Sequence, residues 1–178
     1  NYHQVVLFDS DTAQILADWK QETPRETLSF LMKVLPELNQ YPQPQQIIFV
    51  QGPGSFTALR VGATWVNTLA YAKRISVVAV DSLQFVALFH SLPLEQLAIT
   101  FDQKRYFQLK DGAVIATEAA PEKTIINPEQ EKLWFAPDQI APLLSLNLSP
   151  HPAIDVLYVI PPKITQRKPT VIPPSRNL

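Results

Sequence analysis

Apolar residues in the first half of the chain follow two periods, and each period marks an element. Gln4 to Phe8 and Ala13 to Lys20 are extended runs joined by Asp9-Ser10-Asp11-Thr12, short polar residues that bond to their own backbone, so a β-hairpin is predicted. From Pro24, a favourable first helical residue preceded by Thr23 as its cap, Leu28, Leu31, Met32, Leu35 and Leu38 recur at three- and four-residue spacing. That pattern predicts an amphipathic helix loosened near Pro36. Ile47 to Val50 is a continuous apolar run too short for a helix and is expected to be a strand buried on both faces. Gly52-Pro53-Gly54-Ser55 then turns the chain. Phe56 to Ala72 is helical in composition, and Ser76 to Val80 is the next apolar run, which makes a strand-helix-strand crossover and hence a parallel pair. A short helix over Ser82 to His90, capped by Asp81 or Ser82, follows.

The second half changes character. Leu97 to Phe101, Tyr106 to Leu109 and Val114 to Thr117 read as strands, with Asp111-Gly112 as a strong hairpin signal between the last two. Beyond Ala120 prolines dominate: 11 of the chain's 17 lie between Pro121 and Pro174. Only short elements fit there. Leu133 to Ala136 and Val156 to Ile160 are expected strands, Pro137 to Leu146 a short helix, and residues 161–178 a basic tail. The expected organisation is an N-terminal lobe over residues 1–92, a reduced second lobe over 93–160, and the tail.

The helix after the glycine turn carries two apolar stripes. Phe56, Leu59, Ala63, Val66 and Ala70 form one, and Val61, Trp65 and Leu69 the other, with Arg60 as a lone internal charge. A helix apolar nearly all round must be covered all round, so a partner surface is the expected cover for the second stripe, with the rest of the chain as the alternative. Ala63, Thr64 and Asn67 are small enough for a close helix approach.

Composition sharpens this picture. The chain is 46% hydrophobic and 17% charged, below the roughly 25% charge of an ordinary soluble surface, which also suggests a covered face. No apolar run is long enough for a membrane helix, and the reading is of a soluble, cytoplasmic protein. With no cysteine, thiolate chemistry is excluded, and a net charge of −1 gives no global attraction to nucleic acid. The chain begins with Asn1 close to its first strand, so an upstream strand is expected to be missing.

Candidate chemistry is sparse. His3, His90 and His151 are isolated in sequence and make no metal pair on one helix. The turn at Gly54, Ser55, Phe56 and Thr57 opens a helix, whose free N–H groups suit a phosphate or carboxylate; Gly54, Ser55 and Thr57 are weak candidates for cofactor binding. Neither a Walker lysine nor a third Rossmann glycine follows, and a sharp reversal with Ser55 as cap accounts for the same residues.

The run Gly52-Pro53-Gly54-Ser55-Phe56-Thr57-Ala58-Leu59-Arg60-Val61-Gly62 closely resembles the signature of the TsaB (YeaZ) family. The resemblance extends through Leu69-Ala70 and Val77 to Leu83, upstream through Pro24-Arg25-Glu26 and the helix containing Pro36, and downstream to Leu157 to Pro162. It implies an α/β, actin-like ATPase or ribonuclease-H-like fold: a mixed sheet with flanking helices and a reduced second lobe. It further implies a non-catalytic subunit supporting a TsaD-like transferase that forms threonylcarbamoyladenosine beside the tRNA anticodon. The partner-binding residues would come from the two helices: Leu28, Met32, Leu35, Arg60, Ala63, Thr64, Asn67 and Tyr71. No cofactor of its own is implied; ATP and a metal ion belong to partner subunits, namely the TsaD-like paralogue and a TsaE-like ATPase. Contact with tRNA would be indirect, a homodimer is implied when the chain is alone, and no membrane is involved.

Departures from the pattern are specific. Ala58 stands where glycine is usual, Thr68 where a small residue is usual and Ile160 where arginine is usual, and Asp102 to Arg105 matches the family's D-A-R only loosely. Two rival functions are an actin-like kinase or ATPase using Gly52 to Thr57 with Asp81 or Asp102 as metal-orienting carboxylate, and an RNA-binding module using Lys163, Arg167, Lys168 and Arg176 of the tail.

Overall fold

The computed structural model describes residues 2–23, 26–146 and 148–156. Two strands open the fold, β1 (His3–Asp9) and β2 (Gln14–Gln21), paired antiparallel with a bulge at Leu16, where Leu7 faces Ala17 but Phe8 faces Ile15. The connecting turn is held as its polar residues require: Asp9 Oδ1 accepts the backbone N–H groups of Asp11 and Thr12 at 2.9 and 2.8 Å. Helix α1 (Thr27–Leu38) follows, with Glu26 rather than Thr23 at its N-cap and no side-chain cap; Pro24 lies outside the described residues. Pro36 sits in the last turn, where it removes the hydrogen bond that an N–H there would give the Met32 carbonyl, and the helix still continues to Leu38.

Strand β3 (Gln46–Val50), helix α2 (Phe56–Lys73) and strand β4 (Ser76–Val80) form the predicted crossover, with β3 and β4 parallel and Ile48 opposite Val78. β3 is only half-buried. The reason is its position at an edge: it pairs with β4 alone, and β1 pairs with β2 alone, so no ladder joins the hairpin to this sheet among the described residues. The two sheets nevertheless share one layer. Val5 and Leu7 of β1 pack with Ile47 under α1, while Val6 and Phe8 pack with Ile48 against Phe135, Ile140 and Leu143 on the other side.

Helix α3 (Ser82–His90) is capped by Asp81, which accepts the Gln84 N–H while the Gln84 side chain accepts the Asp81 N–H. It packs over a second sheet of β5 (Leu97–Thr100), β6 (Tyr106–Lys110), β7 (Ala113–Thr117) and β8 (Thr124–Ile126), ordered β7-β6-β5-β8. At the β6–β7 turn Asp111 and Gly112 both have positive φ, 49° and 77°, the geometry for which Asp-Gly is selected.

The proline-rich region departs further from expectation. Leu133 to Ala136 is not a strand; Leu133 and Phe135 are buried in irregular backbone, and the Gln4 side chain both donates to and accepts from the Phe135 peptide group. A short helix α4 (Pro128–Glu131), a 3₁₀ turn over Pro137–Gln139, helix α5 (Ile140–Ser145) and a two-residue strand β9 (Pro150–His151) antiparallel to β4 complete the fold. Of the strand expected over Val156 to Ile160, only Val156 is described, and it is not in a strand. The tail over 161–178 lies outside the described residues. A chain that returns to pack α5 on the hairpin and β9 on β4 ties the two expected lobes together. The mixed α/β class with flanking helices is borne out.

Candidate functional site

Helices α1 and α2 lie side by side over the hairpin and β3–β4, and their sequences decide which faces are spent inside the chain. On α1 the core face is Phe30, Leu31, Val34 and Leu38, whereas Leu28 and Met32 are 58% and 56% exposed and Leu35 is half-buried. The leucine spacing fits either face; the burial of Phe30 and Val34 shows which one the core takes.

The second stripe of α2 is covered by the chain itself, which corrects the expectation that a partner covers it, and the first is covered apart from the exposed Phe56. Val61, Trp65 and Leu69 pack with Leu31, Val34 and Leu35 of α1. Leu59, Ala63, Val66 and Ala70 pack on β3 and β4 together with Ile154 and Val156. Gly62 permits the close approach to β3: a Cβ there would lie 3.0 Å from Phe49 Cε2.

The eight residues expected at the interface therefore divide. Leu28, Met32, Arg60, Thr64 and Tyr71 are exposed, Tyr71 at 90%, and Leu35 and Asn67 are half-buried. Ala63 is buried at 5% exposure, under residues 154–156. Asn67 donates from Nδ2 to the Ile154 carbonyl at 2.9 Å and accepts the Ile154 N–H at 2.7 Å. Arg60 lies over the Phe56 ring, 5.4 Å from its centroid. Thr68 is exposed on the same side of α2, and its hydroxyl donates to the Thr64 carbonyl at 2.8 Å.

The glycine turn sits at the carboxyl ends of β3 and β4. Ser82 N–H donates to the Gly52 carbonyl at 2.8 Å, which brings the turn beside Asp81, and Gly52 has φ 113°, a conformation that requires glycine. Ser55 occupies the N-cap of α2 but makes no side-chain cap bond, contrary to the capping role expected of it. Gly54 and Thr57 are exposed. Asp81 is engaged by the α3 N-terminus, and burial raises its pKa against the opposing pull of the Gln84 N–H. Asp102 is engaged in its own turn: the Arg105 guanidinium, at 2.9 Å, holds its pKa down. The turn lies beside Asp81, and Asp81 and Asp102 each have a structural partner.

The histidines stay apart. His3 contacts Thr27 Oγ1 at 3.2 Å, burial lowering its pKa, and His90 Nε2 lies 3.2 Å from a Glu131 oxygen without hydrogen-bond alignment. Among the described residues no group of three His, Cys, Asp or Glu side chains converges. No helix among them is long and apolar enough to cross a membrane.

Residues 26–104 match TsaD: tRNA N6-adenosine threonylcarbamoyltransferase. The matched stretch takes in α1, the glycine turn, α2, β4, α3 and β5, and so contains the whole TsaB (YeaZ)-like signature over Gly52 to Gly62. Among solved structures the chain is similar to YeaZ from Pseudomonas aeruginosa, at 23% identity and TM-score 0.46, over 66% of this chain and 60% of that one. It is similar also to a Pseudomonas aeruginosa protein described as uncharacterised with similarity to peptidase YeaZ, at 23% identity and TM-score 0.46, over 66% and 59% of the two chains. The chain thus spans about 60% of the length of these solved chains. Comparison with curated proteins finds no significant match.

Proposed function

We propose that this chain is a non-catalytic subunit that docks a TsaD-like transferase through the outer face of α1 and α2 and supports formation of threonylcarbamoyladenosine in tRNA. The observation that carries the reading is the exposure of Leu28, Met32 and Tyr71, 58%, 56% and 90%, on the two helices that lie inside the family-matched stretch. Large apolar side chains held in water on adjacent helices gain free energy when a partner covers them. Supporting it, the aspartates nearest the glycine turn and the second lobe, Asp81 and Asp102, are committed to a helix cap and a turn. Catalysis, ATP and the metal ion then belong to partner subunits, a TsaD-like and a TsaE-like protein.

Met32→Glu and Tyr71→Glu test this, because both positions are exposed and charges there leave the fold intact. Binding to the TsaD-like protein of the same genome is measured by calorimetry, with far-UV circular dichroism as control. Each variant is expected to weaken binding by about tenfold or more, since a truncated interface anchor is worth about 2 kcal/mol. Folded variants that bind as tightly as the parent, or a parent that does not bind, overturn the reading.

A further inference from the structure

One segment sits on α2 in a way that the fold does not require. Residues 154–156 run across the helix with Ile154 and Val156 turned in and Asp155 turned out. Ile154 and Val156 are buried at 6% and 9% exposure against Ala63, Val66 and Ala70. Among the described residues no strand ladder holds the segment. Its backbone is held by the Asn67 amide, which satisfies both the N–H and the carbonyl of Ile154. The Val156 N–H turns instead to Asp155 Oδ1, at 2.9 Å. Just upstream, β9 is two residues long, and Pro150 and Pro152 have no N–H to give it. A groove of about 380 Å³ runs alongside, between this segment and Phe56, Arg60 and Thr64 on the exposed side of α2.

We propose that residues 154–156 are a removable strap that covers the Ala63–Asn67 edge of α2 until a partner helix pair docks there and takes its place. The proposal rests on the docking reading above. Among the described residues the strap's anchorage is weak in kind: two aliphatic side chains and one side-chain amide. Its removal bares Ala63 as well as the strap's own apolar residues, so in water it stays on. A partner's apolar side chains covering the same edge remove that penalty. Ala63 is small, and once bared it lets a second helix approach at the close distance of packed helices. Asn67, freed from Ile154, has a donor and an acceptor to offer across the contact.

Ile154→Asp tests the strap, since it places a charge in the segment's buried contact and leaves every α2 side chain unchanged. With the TsaD-like protein as binding probe, the variant is expected to bind about tenfold or more tighter than the parent, because a larger fraction of the chain is competent to dock. A folded variant that binds no tighter than a parent that does bind overturns the strap alone. If the parent does not bind, the docking reading falls and the strap with it. Hydrogen exchange on the unaltered chain serves should the variant fail to fold. The Ile154 amide should be protected in the free chain and lose protection in the complex. An unprotected amide in the free chain, or protection unchanged in a formed complex, overturns the proposal.

Discussion

Replacing Gly62 is the most demanding test of how α2 is seated on the sheet. A methyl carbon at that position would stand 3.0 Å from Phe49 Cε2 and 3.3 Å from Cζ, against the roughly 3.5–4.0 Å of a relaxed carbon contact. Two effects compete. Alanine in a helix interior gains about 1 kcal/mol over glycine, while forcing a methyl into a packed contact costs about 1–3 kcal/mol. The overpacking term should win or match, leaving Gly62→Ala destabilised by up to about 2 kcal/mol, or several degrees in Tm for a chain of this length, at about 2–4 °C per kcal/mol.

The sign is best fixed by a double-mutant cycle with Phe49→Leu, which removes the two ring atoms in question. Alone, Phe49→Leu should cost on the order of 1–2 kcal/mol for the lost ring contacts. In that background the clash is gone and Gly62→Ala should become stabilising by up to about 1 kcal/mol, the helix term alone. Urea denaturation of the four proteins measures the coupling. Additivity to within about 0.5 kcal/mol would refute the reasoning, because independent sites behave that way and residues in contact do not.

Asp81→Ala should lower stability by about 1 kcal/mol through loss of the α3 capping box, whereas Asp81→Asn, which keeps an acceptor for the Gln84 N–H, should stay close to the parent in thermal melts. The pH dependence has a definite sign. Burial raises the folded pKa of Asp81 above its unfolded value, so the native state binds more protons between the two and stability attributable to this group falls as pH rises through that window. The parent-minus-Asn difference in Tm, followed from pH 3 upward in steps of about one unit, should show that fall, and a difference that rises with pH refutes it. Asp102 has the opposite sign: Arg105 lowers its folded pKa, so its contribution is present above the unfolded aspartate value and is lost as pH falls through the folded one. Arg105→Gln should flatten that acid-side loss in the same melts.

The first half of the fold was legible because its signals are local. The Asp9 to Thr12 turn, the leucine spacing of α1, the β3-α2-β4 crossover and the Asp111-Gly112 turn each state their own geometry in a few residues. The region after Ala120 was legible only in the short helix expected over Pro137 to Leu146, because the rest of its structure is set by distant partners. β8 exists by pairing with β5, β9 by pairing with β4, and Leu133 and Phe135 are buried without a ladder, Leu133 against α3 and β5 and Phe135 through Gln4 and the hairpin core. The interface was legible only in part. Periodicity identified α1 and α2 as the helices with apolar surface to spare, yet the choice between the two faces of α1 depends on Phe30 and Val34 meeting Val5 and Leu7 of the hairpin.

The angular positions on α2 show what docking surface remains once the chain has covered itself. At about 100° per residue, and counting from Arg60, Tyr71 lies near 20°, Thr64 near 40° and Thr68 near 80°, while Asn67 falls near −20° and Ala63 near −60°. Val61 and Trp65, near 100° and 140°, face α1, and Gly62, Leu69 and Val66, near 200°, 180° and 240°, face the interior. The arc open to a partner is therefore bounded on one side by α1 and on the other by residues 154–156. With the strap in place the arc runs from Asn67 to Thr68, about 100°; without it the arc opens to Ala63, about 140°. A helix that packs through ridges and grooves contacts a stripe of about 100° or more, so the covered α2 offers the bare minimum and α1 must supply the rest. Leu28 and Met32 are the side chains α1 holds out for that purpose. A charge on α1 at Met32 should then weaken docking at least as much as one on α2 at Tyr71, and a larger loss from Tyr71→Glu would mean that the strap leaves α2 to dominate the contact.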